Sequence, residues 1–526
     1  MSENERLQKA IDTTITAGYQ LSSDAFNYLC QCSKETDPLT IISMVLHEMK
    51  TLKEPSFLIE KKNLENIINQ LTQTRQAAQA VQNGNTPEKT AHQSTKPSGF
   101  IDKYTFYPYA KHIPTELKIL EDVTDNLTSN GTIEEYTALF QDRYKRIEKI
   151  LRQRIDVRAA TPIREALKSQ PKTKLKIIGM LTEKRDNKQQ IILSIEDLDS
   201  SATVLVPNKA QDEIKKKALQ ILPDQVICLA VTKTRTNLFL AEDIIFPDVE
   251  RKIPQRSQET VYAVLTSDIH IGSTKFNKEA FKKFILWFKG KYGTPEMKEI
   301  ASRVKYLLVA GDIVDGVGIY PGQQRELTIR DIYNQYNHAI KYLEKIPKHV
   351  EIILAPGNHD TSRKALPQPA IPPNYLTSIN NKTNIHAVGS PCLLNIHGVD
   401  VLMDHGRSLD DIVAAIPEMS HSHPEKSMRL LLQGRHLAPV YGGKTMLAPE
   451  KRDYLVIDKI PDILHAGHVH VLGYSKYKGV LIVNSGGWQE QTEYMEKMGL
   501  VPTPGKVPVI NLMTMEITIL DFKTES

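Results

Sequence analysis

Five short stretches in the second half of the chain constrain it more than any other feature. They read Ser267-Asp268-Ile269-His270-Ile271-Gly272, Gly311-Asp312-Ile313-Val314-Asp315, Gly357-Asn358-His359-Asp360, Asp404-His405-Gly406-Arg407 and Gly467-His468-Val469-His470. Each supplies Asp, His or Asn side chains, and most follow an apolar run that reads as a strand. A single His-x-His or Gly-Asp pair would mean little, because such pairs occur by chance. Five in this order can bring about seven oxygen and nitrogen ligands to one point, enough for two divalent cations sharing a carboxylate.

The apolar runs set the scaffold. Val261-Tyr262-Ala263-Val264-Leu265-Thr266 leads to Asp268, and Val304-Lys305-Tyr306-Leu307-Leu308-Val309-Ala310 leads to Gly311-Asp312. Val350-Glu351-Ile352-Ile353-Leu354-Ala355 runs into Pro356-Gly357-Asn358-His359. Val399-Asp400-Val401-Leu402-Met403 precedes Asp404-His405, and Ile463-Leu464-His465-Ala466 precedes Gly467-His468. Loops leaving the strand ends of an α/β fold collect functional side chains because the sheet holds them rigidly.

Carboxylates alone would favour magnesium or calcium, whereas carboxylates with several imidazoles favour manganese, iron or zinc. Asp268, His270 and His470 are expected to take one ion, Asn358, His405 and His468 the other, with Asp312 bridging. Gly311, Gly357 and Gly467 would let the backbone turn sharply and let substrate come close. His359, next to Asn358, is expected to face substrate and protonate a departing alkoxide, with Asp360 holding its ring. Arg407 offers a bidentate grip on a phosphate, an ordinary salt bridge being the plainer account. A pair of cations about 4 Å apart suits in-line attack by an activated water on a phosphate ester. His421, His423 and His436 follow no strand, and 418–426 reads as a surface loop. The main competing account is a decayed site that kept the fold and lost its metals; all seven ligand positions, however, carry competent residues.

A chain of 526 residues is too long for one ordinary core, so two or three domains are expected. Its +5 charge, from 67 basic and 62 acidic residues, permits a polyanionic partner without demanding one. Cys30, Cys32, Cys228 and Cys392 form no Cys-x-x-Cys pair, so reduced thiols in an intracellular, cytoplasmic protein are expected. No apolar run of about 18 residues suggests a membrane span.

Residues 1–72 read as a helical module: Leu7, Ile11, Ile15 and Tyr19 form one stripe, and Ile41, Ile42, Val45, Leu46 and Met49 another. Leu64, Ile67, Ile68 and Leu71 mark its last helix. Residues 73–99, rich in Gln, Asn, Thr and Pro, read as a flexible linker. Residues 100–170 form a helical connecting segment in which Thr132 and Glu135 have capping-box spacing. The outer face of that helix carries Arg143, Lys145, Arg146, Lys149 and Arg152, by default a solvated face. Residues 171–250 give three strands, a helix and two strands, the order of an OB-type barrel with Phe239 as its main aromatic. Such barrels bind oligonucleotides or other proteins, and an interface role is the favoured one here. Residues 251–526 hold the five motifs.

The motif set D-x-H, G-D, G-N-H-D, H and G-H-x-H resembles the calcineurin-like metallophosphoesterase superfamily. An OB-type domain ahead of it is similar to the B-subunits of replicative DNA polymerases, in particular the small-subunit family of archaeal family-D polymerases. His405-Gly406-Arg407-Ser408-Leu409-Asp410-Asp411 and the stretch from Trp488 to Tyr494 leading to Pro502-Thr503-Pro504-Gly505 add to the likeness. The resemblance implies a multidomain α/β plus β protein: a helical module, an OB-type β-barrel and a metallophosphoesterase β-sandwich flanked by helices. It further implies a 3′–5′ proofreading exonuclease with two divalent ions, manganese favoured and iron, zinc or magnesium as alternatives. DNA, a large catalytic polymerase subunit and a sliding clamp are the implied partners, at the nucleoid. A repair nuclease, a phosphatase and a non-catalytic scaffold subunit are the competing functions.

Overall fold

The computed structural model describes residues 3–17, 19–33, 38, 41–42, 44–46, 58–65, 67–68, 106–187, 190–235, 238–377 and 383–523. The expected linker over 73–99, like Met49 and Leu71 of the N-terminal module, lies outside them. Two compact units divide the chain, residues 1–101 and 102–526.

The first unit contains helices Glu3–Thr16 and Ser23–Cys32 and a short parallel pair, β1 (Gln20–Leu21) with β2 (Leu58–Ile59). Ser22 caps the second helix by accepting from the Ala25 N–H, which satisfies one of the donors a helix start leaves open. Ala10, Ala25, Leu29, Ile41, Val45 and Leu64 form its buried core.

The second unit begins with β3 (Leu117–Asp122) and the helix Ile133–Gln153. The Thr132–Glu135 capping box forms in both directions. The basic face of this helix is not simply solvated. Arg143 is buried, donating to Asp453 Oδ2 at 2.7 Å and to the Pro439 carbonyl at 2.6 Å, and Arg146 reaches Asp458. Amphipathic spacing shows which side of a helix is polar, but not that acidic groups some 310 residues away will meet it.

Five strands then close a barrel in the order β4-β5-β6-β8-β7. They are β4 (Lys174–Asp186), β5 (Gln190–Glu196), β6 (Ser201–Pro207), β7 (Val226–Lys233) and β8 (Leu238–Ile245), with helix Asp212–Gln220 between β6 and β7. Alternate residues of β5 and β6 point inward, as a strand with one buried face requires. Phe239 is one of the inward residues, fully buried, and so is not a binding-face aromatic.

Beyond the barrel, the chain builds two six-stranded sheets. One has the order β12-β11-β10-β9-β18-β19 and the other β16-β17-β15-β14-β13-β3. Their further strands are β9 (Tyr262–Thr266), β10 (Val304–Ala310), β11 (Glu351–Ala355), β12 (Ile385–Ala387), β13 (Cys392–Ile396), β14 (Val399–Met403), β15 (Ile463–Ala466), β16 (Leu472–Tyr477), β17 (Val480–Ser485), β18 (Lys506–Asn511) and β19 (Glu516–Asp521). In β10, Tyr306, Leu308 and Ala310 join the core between the sheets, while Leu307 and Val309 pack under helices Lys278–Trp287 and Ile332–Leu343. Likewise Val401 and Met403 of β14 face the other sheet, and Leu402 packs with helix Pro424–Gly434. The result is helix, sheet, sheet, helix, and burial on both faces explains why these strands read as unbroken apolar runs.

Candidate metal centre

β9, β10 and β11 run parallel, as do β14, β15 and β17, so the loops after β9, β10, β11, β14 and β15 leave from strand ends of like direction. Those loops carry the five motifs. They are unusual in backbone: Asp268, His270, Asp312, His468 and His470 have φ of +50°, +51°, +51°, +74° and +58°. Left-handed geometry at non-glycine residues costs energy and persists where surrounding structure enforces it. Trp488 provides part of that enforcement. Its N–H donates to the Asp268 carbonyl at 2.9 Å, and its indole Nε1 donates to Thr266 Oγ1 at 2.8 Å.

Three mutually close donor groups occur among the described residues: Asp268, His270 and His470; Asp312, His405 and His468; and His270, Asp315 and His359. In the first, His470 Nε2 lies 3.4 Å from Asp268 Oδ1 and 3.1 Å from His270 Nε2. In the second, His405 Nε2 lies 3.3 Å from Asp312 Oδ2 and 3.0 Å from Asn358 Oδ1. Asp312 Oδ2 is also 3.7 Å from His270 Nε2, between the two sets. The structure therefore brings Asp268, His270, Asp312, Asn358, His405, His468 and His470 together. Gly357 is needed beside them because a Cβ there would collide with the Asp312 carboxylate.

Outer residues orient the rings. The His270 Nδ1 bonds Asp315 Oδ1 at 3.0 Å, the His405 Nδ1–H donates to the Ala310 carbonyl at 2.8 Å, and His468 Nε2 lies 3.3 Å from Asp410 Oδ2. Such partners fix which nitrogen is left for a metal. Asp410 Oδ1 in turn bonds His421 Nε2 at 2.8 Å. His421 thus lies in the expected loop yet reaches the periphery of the centre, while helix Pro424–Gly434 takes over the last residues of the stretch read as loop. His436 and His423 do not join it. His436 is buried against Asp453, and His423 is largely exposed near Glu425. Asp315 and Asp410 stand inside quoted motifs, three and five residues after ligand positions; that spacing was the available signal for them.

One expected role needs correction. Asp360 does not hold the His359 ring. Its carboxylate accepts from the Gly357 N–H at 2.9 Å, the Ile313 N–H at 3.2 Å and the Tyr336 hydroxyl at 2.9 Å, tying the β10 and β11 loops together. The His359 Nδ1–H instead donates to the Asp315 carbonyl at 2.7 Å, so Nε2 is the ring nitrogen outside that bond. Burial lowers the His359 pKa to about 4, so the ring is neutral at rest and gains a proton only beside added negative charge. Arg407 lies on the wall of the adjoining cavity, with Nη1 donating to the Lys364 carbonyl at 3.4 Å.

The electrostatics fit cations. Burial opposes charge on His270, yet the Asp315 bond and Asp312 raise its pKa to about 9. Against the same burial, Asp312 raises His405 to about 10. Burial raises Asp268 and depresses His470. Buried carboxylates here draw protons onto neighbouring imidazoles, the demand for positive charge that divalent ions satisfy. Asp268 Oδ1 is buried without a hydrogen-bond partner, as is His470 Nδ1. An unpartnered buried carboxylate oxygen facing imidazole nitrogens is the donor arrangement of a metal site.

Residues 263–471 match the family model for the B-subunits of DNA polymerases alpha and epsilon. The DNA polymerase II small subunit of Archaeoglobus fulgidus is 36% identical over 495 residues, covering 94% of each chain. That of Pyrococcus furiosus is 40% identical over 393 residues, 74% of this chain; the chain spans 64% of that relative's length. A solved archaeal phosphodiesterase aligns with 49% of this chain and 99% of its own at 15% identity and a TM-score of 0.25.

Proposed function

Since this chain belongs to the family of archaeal DNA polymerase II small subunits, we propose that it carries a two-metal 3′–5′ exonuclease that removes nucleotides from DNA 3′ ends beside a large polymerising subunit. The observation that carries this reading is Asp268 Oδ1, buried, unpartnered and 3.4 Å from His470 Nε2, with Asp312 set between two donor groups. On this reading 251–526 is a calcineurin-like metallophosphoesterase domain, 171–250 an OB-type domain, 100–170 a connecting segment, 1–72 a helical module and 73–99 a linker. The two packed sheets with functional loops at their strand ends, and a barrel with a helix between its third and fourth strands, support it.

Asp268, His270 and His470 would hold one cation, and Asn358, His405 and His468 the other, with Asp312 common to both. Two divalent ions, manganese suiting the mixed carboxylate and imidazole set, would supply Lewis acidity and a nucleophile at neutral pH. Asp315 and Asp410 keep the His270 and His468 rings in register. Arg407 grips a non-bridging phosphate oxygen. His359, anchored through Nδ1, manages the proton of the leaving alkoxide at Nε2.

A scaffold subunit without chemistry is the second reading, favoured by relatives named for subunit membership alone. Digestion of 5′-labelled primers, paired and mispaired, with manganese and with or without the large subunit, separates the two. The exonuclease reading expects shortening from the 3′ end, lost in Asp312→Ala and His470→Ala while the complex still assembles. No digestion by the wild-type complex would leave the scaffold.

A further inference from the structure

The metal centre opens into a cavity of about 460 Å³, within the range of about 300–1,000 Å³ usual for small-molecule sites and larger than a phosphate needs. Its walls differ in character. One carries the donor cluster, with Arg407 and Lys444 nearby. A further part of the lining comes from the segment between β17 and β18: Tyr494, Met495, Met498 and Leu500. Tyr494 and Met498, four residues apart on the short helix Glu493–Lys497 and its cap, are 66% and 51% exposed.

This apolar wall is held firmly. Thr492 accepts from the Met495 N–H at 3.2 Å, Leu500 N donates to the Met495 carbonyl at 2.8 Å, and Gln491 Nε2 donates to the Leu500 carbonyl at 2.8 Å. Met495 is buried and braces the turn, so Tyr494 and Met498 stay outward on a supported backbone. A phenol ring and a thioether in the same cavity as candidate cation ligands match a nucleotide: an anion on one side, a flat polarisable base on the other. Arg407 and Lys444, set in a lining that also holds Glu326 and Asp410, add to the candidate cation ligands and argue for a nucleic acid over an apolar peptide as occupant.

Resting on the phosphodiesterase reading above, we propose that Tyr494 and Met498 form a stacking platform for the unpaired terminal nucleobase of a single-stranded nucleic acid whose phosphate lies at the metal centre. Unpaired ends are then favoured because a base held in a duplex cannot reach the platform without unstacking. Stacking on an aromatic side chain changes binding by roughly fivefold or more per base.

The test compares two 5′-labelled single-stranded oligonucleotides, one ending in a normal nucleoside and one in an abasic tetrahydrofuran residue. The full chain with manganese is assayed for KM and kcat, and binding of both is read by fluorescence anisotropy with calcium as the non-cleaving ion. Wild type is expected to prefer the base-bearing end at least fivefold in KM and in affinity. Tyr494→Ala with Met498→Ala should erase that preference by raising only the base-bearing value, and Tyr494→Phe should keep it. A double variant that retains the wild-type ratio, including one that slows both substrates equally, overturns the proposal. So does a retained ratio with weakened association with the large subunit, which would make the patch a protein contact. If wild type cleaves neither substrate, alone or with the large subunit, the phosphodiesterase reading fails, and the anisotropy ratio alone then decides for or against the platform.

Discussion

The Nε2 atoms of His270 and His470 face each other at 3.1 Å, on two buried rings whose backbones are both left-handed. Two imidazoles at that separation can share at most one proton, and burial together with the His270 charge pushes His470 well below its ordinary pKa. Folding holds them so despite the cost, an arrangement that the proposed cations would relieve.

Manganese should therefore stabilise the fold. A ligand at 100 times its Kd adds about 2.7 kcal/mol, enough to raise Tm by several degrees. Differential scanning calorimetry should show that rise in wild type, its reversal by EDTA, and little or none of it in Asp312→Ala.

Asp410 meets the proposed ligands at His468. Replacing it by Asn weakens the hold on the ring while keeping its shape, so manganese affinity should fall roughly 10- to 100-fold in isothermal titration. His421→Ala should move affinity in the same direction by less, because it reaches His468 one bond further away.

Gly357→Ala tests close packing at the bridge. The added methyl would overlap the Asp312 carboxylate. Urea unfolding should show a loss of about 1–3 kcal/mol, and manganese titration a loss of affinity that Gly442→Ala, in open space, does not cause.

A pH dependence lies away from the centre, at the contact of helix Ile133–Gln153. His436 accepts the Ala438 N–H at Nδ1 (3.1 Å) and donates from Nε2 to Asp453 (2.9 Å), so the ring is satisfied only when neutral. Burial, then Arg143, lowers its pKa to about 4. Between the unfolded value of about 6.5 and about 4 the unfolded chain binds the extra proton. Stability is thus fully present above about 6.5 and lost as pH falls toward 4, by on the order of 3 kcal/mol. Denaturant melts at pH 7.5 and 5 should show about 2 kcal/mol of this loss in wild type and a smaller one in His436→Gln.

The convergence of these donor side chains was legible because each follows an apolar strand buried on both faces, a pattern the β10 run makes plain. Asp312, Asn358 and His405 needed no other cue. Partners acting across the fold were not legible. Arg143 reads as one more surface cation until Asp453 arrives from 310 residues further on. His421 reads as loop until Asp410, itself eleven residues before it, links it to His468. Asp360 misled because adjacency in sequence suggested a shared task, whereas its side chain binds Gly357 and Tyr336 and its neighbour's ring binds the Asp315 carbonyl.

Anomalous diffraction at the manganese edge, from crystals soaked in manganese, addresses the dinuclear centre most directly. Two peaks are expected per chain, one touching Asp268, His270 and His470 and the other Asn358, His405 and His468, with Asp312 reaching both. An empty map at these side chains, with manganese bound elsewhere or nowhere, would contradict it.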